Sequence, residues 1–184
     1  MTEYNKLIND VNNGKFSPIY LIHGEESYFI NNIIENITKN VINETSADFD
    51  LKKIYGKKSD ESQENDIIDF VKRFPLSGDY NLLIAKDSKN ISTDFKNIIS
   101  YIENNNPKTI LVLSFTNNVD KRKKIYKSSL KNGVVFESKK IYDNQVYNWI
   151  QEQCKSKSLN LHPNSIKIIE DFTGNDLSQI DNEL

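Results

Sequence analysis

Apolar positions along the chain follow two alternating spacings. Tyr20-Leu21-Ile22 is a continuous apolar run behind Pro18, which opens a strand but does not sit inside one. Such a run suits a strand buried on both faces. A turn follows at Gly24. From Tyr28 onward the apolar residues Phe29, Ile30, Ile33, Ile34, Ile37 and Val41 fall at helical spacing. The same strand-then-helix phrase recurs. Phe49, Leu51 and Ile54 predict a strand from Phe49 to Tyr55, and Lys57 to Gln63 reads as a polar loop. Glu64 to Arg73 predicts a helix with Ile67, Ile68 and Val71 inward. Pro75 ends it, because the residue before a proline is pushed out of the α region. Tyr80 to Ala85 predicts a strand, and Ser92 caps a predicted helix to Glu103 with the stripe Phe95, Ile98, Ile99 and Ile102. After the turn Asn104 to Pro107, Thr109 to Phe115 is the clearest buried strand. A helix from Asp120 to Lys131, closed by Asn132-Gly133, and a strand from Val134 to Glu137 complete the pattern. A short helix, Thr2 to Asn12 with Leu7, Ile8 and Val11 on one face, stops before Gly14 at the start of the chain.

Strands alternating with helices imply an α/β fold, a parallel five-stranded sheet flanked by helices and joined by right-handed crossovers. Beyond Ile141 the strands stop. Asp143 is the predicted cap of a helix through Cys154. His162-Pro163 precedes a second helix ended by Gly174, and Asp176 starts a third that runs to Leu184. The expected organisation is an α/β domain over residues 1–140 and an incomplete small helical domain over 141–184, with the chain read as a fragment of a longer protein.

Composition narrows the function classes. Of 184 residues, 37% are apolar and 27% charged, and the net charge is −2. No global basic field draws this chain to nucleic acid, so any DNA contact is local or supplied by partners. A single cysteine, Cys154, excludes an internal disulfide and fits a reducing compartment. No apolar run approaches the ~20 residues of a membrane span, and the N-terminus lacks a signal-peptide core. A cytoplasmic protein with no membrane association is the expectation.

A strand, glycine turn and helix near the N-terminus is where a nucleotide-binding α/β protein carries its phosphate loop. Here Gly24 is followed by Glu25 and Glu26, with no Lys-Ser/Thr pair before the helix is under way. Two carboxylates suit a helix N-terminus but repel a triphosphate. The framework of a P-loop-like fold is expected without its nucleotide chemistry and without a cofactor. Glu25, Glu26 and Asp87 could meet at the carboxyl edge of the sheet and hold Mg²⁺; the plainer reading is cap and loop carboxylates. His23 and His162 lie in different domains and make no metal site with one cysteine. Val146, Trp149, Ile150 and Cys154 share a helical stripe and read as core. Lys121, Arg122, Lys123 and Lys124, with Lys127 and Lys131, are either a DNA contact or a solvated helix face. Phe74-Pro75-Leu76-Ser77-Gly78 places large apolar groups in a helix-to-strand connection, where polar residues are the rule. It is either an anchor for a partner or, for Phe74, a loop residue folded back on the core.

These segments together resemble the delta subunit of the bacterial DNA polymerase III clamp loader, of the AAA+ type. Residues 18–29 are similar to that family's first strand and degenerate phosphate loop, Tyr-Leu-X-X-Gly-Glu-Glu. Phe74 to Gly78 followed by Leu82-Leu83-Ile84 resembles its Pro-Leu-Phe-Gly segment and next strand. Leu111-Val112-Leu113 with Asp120-Lys121-Arg122-Lys123-Lys124, and the stretch Gly174-Asn175-Asp176-Leu177 to Asn182-Glu183-Leu184, resemble two further signatures. The resemblance implies a subunit of a DNA polymerase holoenzyme with no catalysis of its own. Such a subunit binds and opens the sliding clamp, works with motor subunits (gamma/tau) and delta prime, and reaches DNA through the assembly. It implies a clamp-binding segment at Phe74, Leu76 and Ser77, where Leu76 matches the family's leucine and Ser77 stands in place of a frequent aromatic. It also implies a collar domain that this chain does not contain. The competing readings are a P-loop-like ATPase, which the absent Lys-Ser/Thr opposes, and a delta-prime-like subunit, whose zinc cysteines and Ser-Arg-Cys motif are missing.

Overall fold

The computed structural model describes residues 2–57 and 62–184. The chain forms two compact units, Met1–Ser138 and Lys139–Leu184. In the first, the elements run α1 (Thr2–Asn12), β1 (Ile19–Gly24), α2 (Ser27–Val41), α3 (Ala47–Asp50), β2 (Leu51–Tyr55), α4 (Ser62–Val71), β3 (Asn81–Lys86), α5 (Lys96–Glu103), β4 (Thr109–Phe115), α6 (Lys124–Asn132) and β5 (Val134–Ser138). The strands make one parallel sheet in the order β2-β3-β4-β1-β5. The chain leaves β1 in one direction to build β2, β3 and β4 inward, then crosses β1 to place β5 on its other side.

Every residue of β1 and β4 is buried, as expected of central strands covered on both faces. On one face Leu21, Leu83, Leu111 and Leu113 pack into a continuous core with Ile67 of α4, Ile98 of α5 and Ile125 of α6. The alternate residues turn to the other face, which α2 covers with Phe29, Ile33 and Ile37. Each such fully buried Leu, Ile or Phe contributes about 1.5–3 kcal/mol by leaving water.

Several element boundaries differ from those read in the sequence. Phe49 is not in a strand: Ala47–Asp50 is a single helical turn, β2 starts at Leu51, and Phe49 is exposed. Part of the expected polar loop from Lys57 to Gln63, residues 58–61, lies outside the described residues. Gln63 itself belongs to α4 and is buried; its amide accepts from Lys57 N–H at 2.9 Å and donates to the Tyr55 carbonyl at 2.8 Å. α4 ends at Val71, four residues before Pro75, so proline is not its terminator. α5 starts at Lys96; the Ser92 hydroxyl instead accepts from Phe95 N–H in the turn ahead of it, where Phe95 has φ of 56°. Asp120 to Lys123 form a turn ahead of α6.

The second unit holds α7 (Asp143–Ser156), α8 (Pro163–Thr173) and α9 (Leu177–Glu183). Val146, Trp149, Ile150 and Cys154 are buried along α7. Tyr142, not Asp143, is the N-cap of α7. His162 caps α8 by accepting Asn164 N–H at Nδ1, Gly174 closes that helix at φ of 61°, and Asp176 caps α9 through Gln179 N–H.

Candidate functional site

Two regions at opposite edges of the sheet carry the candidate residues. At the carboxyl edge, β1 runs through the turn Gly24-Glu25-Glu26 into α2. A phosphate loop in this place aims its backbone N–H groups at the ligand. Here Glu25 N–H and Glu26 N–H both point to the Ser138 carbonyl at the end of β5, at 2.9 and 3.4 Å. Ser138 Oγ donates back to the Glu26 carbonyl at 2.6 Å. Gly24 sits at φ of 135°, where a Cβ would collide with the Ser138 carbonyl. The Glu26 carboxylate accepts Tyr28 N–H at 3.2 Å and caps α2, while Glu25 faces solvent. Two donors placed to cradle phosphate, the Glu25 and Glu26 N–H groups, are engaged by the neighbouring strand.

The acidic cluster envisaged for Glu25, Glu26 and Asp87 is not assembled. β4 lies between β1 and β3, which sets their ends ~10 Å apart. Among the described residues no group of three or more His, Cys, Asp or Glu side chains is placed to hold a metal ion. His23 is fully buried on the α6 side, its ring edge-on to Tyr126 and its Nδ1 accepting Val119 N–H at 3.4 Å. Burial lowers its pKa from 6.5, against the opposing pull of Glu137 and Asn118.

At the amino edge lies the connection from α4 to β3. Phe74 and Leu76 are 74% and 75% exposed, so Phe74 is not folded back on the core. It borders an open groove of about 620 Å³ with Ile68 and Tyr101; Leu76 borders another, of about 360 Å³, with Phe49, Leu51 and Phe70. Ser77 is exposed beside them. Yet the backbone beneath is fixed at both ends. Asn81 Nδ2 donates to the Arg73 carbonyl at 2.7 Å. The Asp50 carboxylate accepts three consecutive N–H groups: Leu76 at 2.7 Å, Ser77 at 2.9 Å and Gly78 at 2.6 Å. Burial alone would raise the Asp50 pKa; those three donors and the Arg73 charge outweigh it and hold the carboxyl below its usual range. Sequence reasoning missed Asp50. Its only local signal is an acidic residue directly before a strand, and its partners lie 26–28 residues away.

The basic stretch is partly self-neutralised. Lys121 pairs with Glu137 at 2.9 Å and Arg122 with Asp120 at 2.9 Å, where the guanidinium holds the Asp120 carboxyl down at about 2. Lys123 and Lys124 are exposed on the turn and the first residue of α6.

A parallel α/β sheet of this order, with the phosphate-loop position closed by its neighbour strand, defines a protein of the P-loop-like architecture without an open nucleotide cradle. The chain belongs to the DNA polymerase III delta subunit family, whose family model, "DNA polymerase III, delta subunit", matches residues 20–139. It is 25% identical over 138 residues to DNA polymerase III subunit delta of Bacillus subtilis (strain 168), covering 70% of this chain and 39% of that protein. The chain thus spans less than half the length of that curated relative. Among solved structures, the Bacillus subtilis DNA clamp loader delta protein matches with a TM-score of 0.83 at 21% identity, over 98% of this chain and 55% of that one. A DNA polymerase III gamma subunit-related protein from Thermotoga maritima matches with a TM-score of 0.51 at 14% identity, over 81% of this chain and 49% of that one. At these identities the two structural matches speak for the fold.

Proposed function

We propose that this chain is the clamp-engaging part of a clamp-loader delta subunit, which binds the ring-shaped sliding clamp and opens it for loading onto primed DNA. The observation that carries the reading is the exposed pair Phe74 and Leu76 on a short loop whose backbone is hydrogen-bonded at both ends. Apolar side chains held out on a fixed backbone are what a partner with an apolar pocket requires, since little ordering remains to be done on binding. Ser77 completes the proposed contact. Residues 1–140 are the AAA+-like engaging domain in this reading, and 141–184 a lid-type domain. Gamma/tau motor subunits and delta prime are its partners in this reading. The closed phosphate-loop position supports a subunit that leaves hydrolysis to others. Lys121, Arg122, Lys123 and Lys124 are the local candidates for DNA, which is otherwise reached through the assembly. No helix among the described residues is long and apolar enough to cross a membrane, in keeping with a cytoplasmic replication factor.

A pull-down tests the reading. The chain, immobilised through its N-terminus, retains the sliding clamp from the same cell and loses it when Leu76 and Phe74 are both replaced by Ala. Absence of the clamp from the wild-type eluate would overturn it.

A further inference from the structure

We propose that Asp50 is the positioning residue of the 74–78 loop, clipping its backbone so that Phe74 and Leu76 are presented to the clamp. The proposal rests on the reading above for what the loop binds, and on the geometry below for how it is held.

Three consecutive N–H groups converge on one buried carboxylate, which takes two of them on Oδ2 and one on Oδ1. A loop at the amino edge of a sheet ordinarily turns its N–H groups to water. Here β2 and β3 are neighbours, with Leu51 in register with Leu82. The residue before β2 and the loop before β3 therefore meet at one edge. Asp50 is itself held. The turn Ala47–Asp50 is closed by Asp50 N–H on the Ser46 carbonyl at 2.8 Å, and Ser46 exchanges hydrogen bonds with Asn43 at 2.9 and 3.0 Å. Gly78 lies against this turn so closely that a Cβ would stand 3.2 Å from Ser46 Cβ and 3.4 Å from Asp50 Oδ2. A carboxylate is the side chain for the task, because it accepts on both oxygens and offers no donor to compete. Asn accepts on one side only, so even in its better orientation its NH₂ group would face the Leu76 N–H.

Binding that selects a pre-formed loop is weakened when the loop is released into many conformations, even with every contacting side chain intact. A general loss of stability elsewhere has no such effect. Two measurements separate the alternatives. The first is amide hydrogen exchange of the wild-type chain by NMR. Leu76, Ser77 and Gly78 N–H groups are expected to exchange at least a hundredfold slower than an unprotected loop, although the side chains of Leu76 and Ser77 are exposed. Unprotected rates at these amides would overturn the clip, whatever any variant does. The second is clamp affinity by surface plasmon resonance for Asp50→Asn, beside Ile33→Val as a control core change on α2. The Asp50→Asn chain is expected to bind at least tenfold more weakly, with the Ile33→Val chain unchanged. Wild-type affinity in a folded Asp50→Asn chain that has lost protection at these amides would overturn the positioning role. Should wild type fail to bind the clamp at all, the proposed function falls, and the exchange rates alone still decide whether Asp50 holds the loop.

Discussion

At the scale of single residues, two buried titratable side chains contribute to the pH dependence of stability. Burial lowers the pKa of His23 from 6.5. The unfolded chain therefore binds a proton near pH 6.5 that the native chain refuses until lower pH. Stability is full above that value and declines as pH falls from 6.5 toward the folded pKa. Urea denaturation between pH 7.5 and 5 is expected to show this decline, and His23→Asn to flatten it. Parallel slopes in the two proteins would assign the decline to other groups. Asp50 acts in a lower window. Its depressed pKa supplies stability above the ordinary aspartate value of 3.8 that is lost as pH drops through the folded pKa. Neither role was legible in the sequence. A histidine after an apolar strand and an aspartate before another look alike whether solvated or buried. What distinguishes them is contact with Tyr126 and Val119, or with Leu76 to Gly78, far along the chain.

At the scale of elements, the closed phosphate-loop position depends on Gly24. Its φ of 135° and the Ser138 carbonyl against its Cα leave no room for a side chain. Gly24→Ala is expected to cost about 2 kcal/mol or more in denaturant unfolding, as strain at a left-handed position with a backbone clash. A change within ~0.5 kcal/mol would mean that β5 yields easily. The elements themselves were largely legible. β4 spans Thr109–Phe115 as its apolar run predicts, because a central strand carries its burial in its own sequence. Ile98, Ile99 and Ile102 are buried on α5 as their spacing predicts, and Phe95 is buried from the turn ahead of the helix. Boundaries were less so. Phe49 carries an apolar signal yet stands exposed on a single helical turn, whose last residue, Asp50, accepts the N–H groups of the next loop. Ser92 and Asp120 have the chemistry of caps but serve turns ahead of their helices.

At the scale of the whole molecule, the first unit is a P-loop-like sheet whose phosphate-loop position is closed by its own strand and whose amino edge presents an apolar loop. A nucleotide bound at 100 times its dissociation constant would add ~2.7 kcal/mol of stability. With MgATP the melting temperature is expected to stay flat, since Glu25 and Glu26 N–H are already engaged by Ser138; a clear upward shift would reopen the ATPase reading. At the other edge, surface plasmon resonance on immobilised sliding clamp tests the role of the exposed loop most directly. Apolar anchors at the centre of an interface typically lose ~2 kcal/mol or more on truncation, roughly thirtyfold in affinity. Leu76→Ala and Phe74→Ala are each expected to weaken binding at least tenfold, with little change in melting temperature because both side chains are exposed. A folded double mutant that binds the clamp as tightly as wild type would contradict the account.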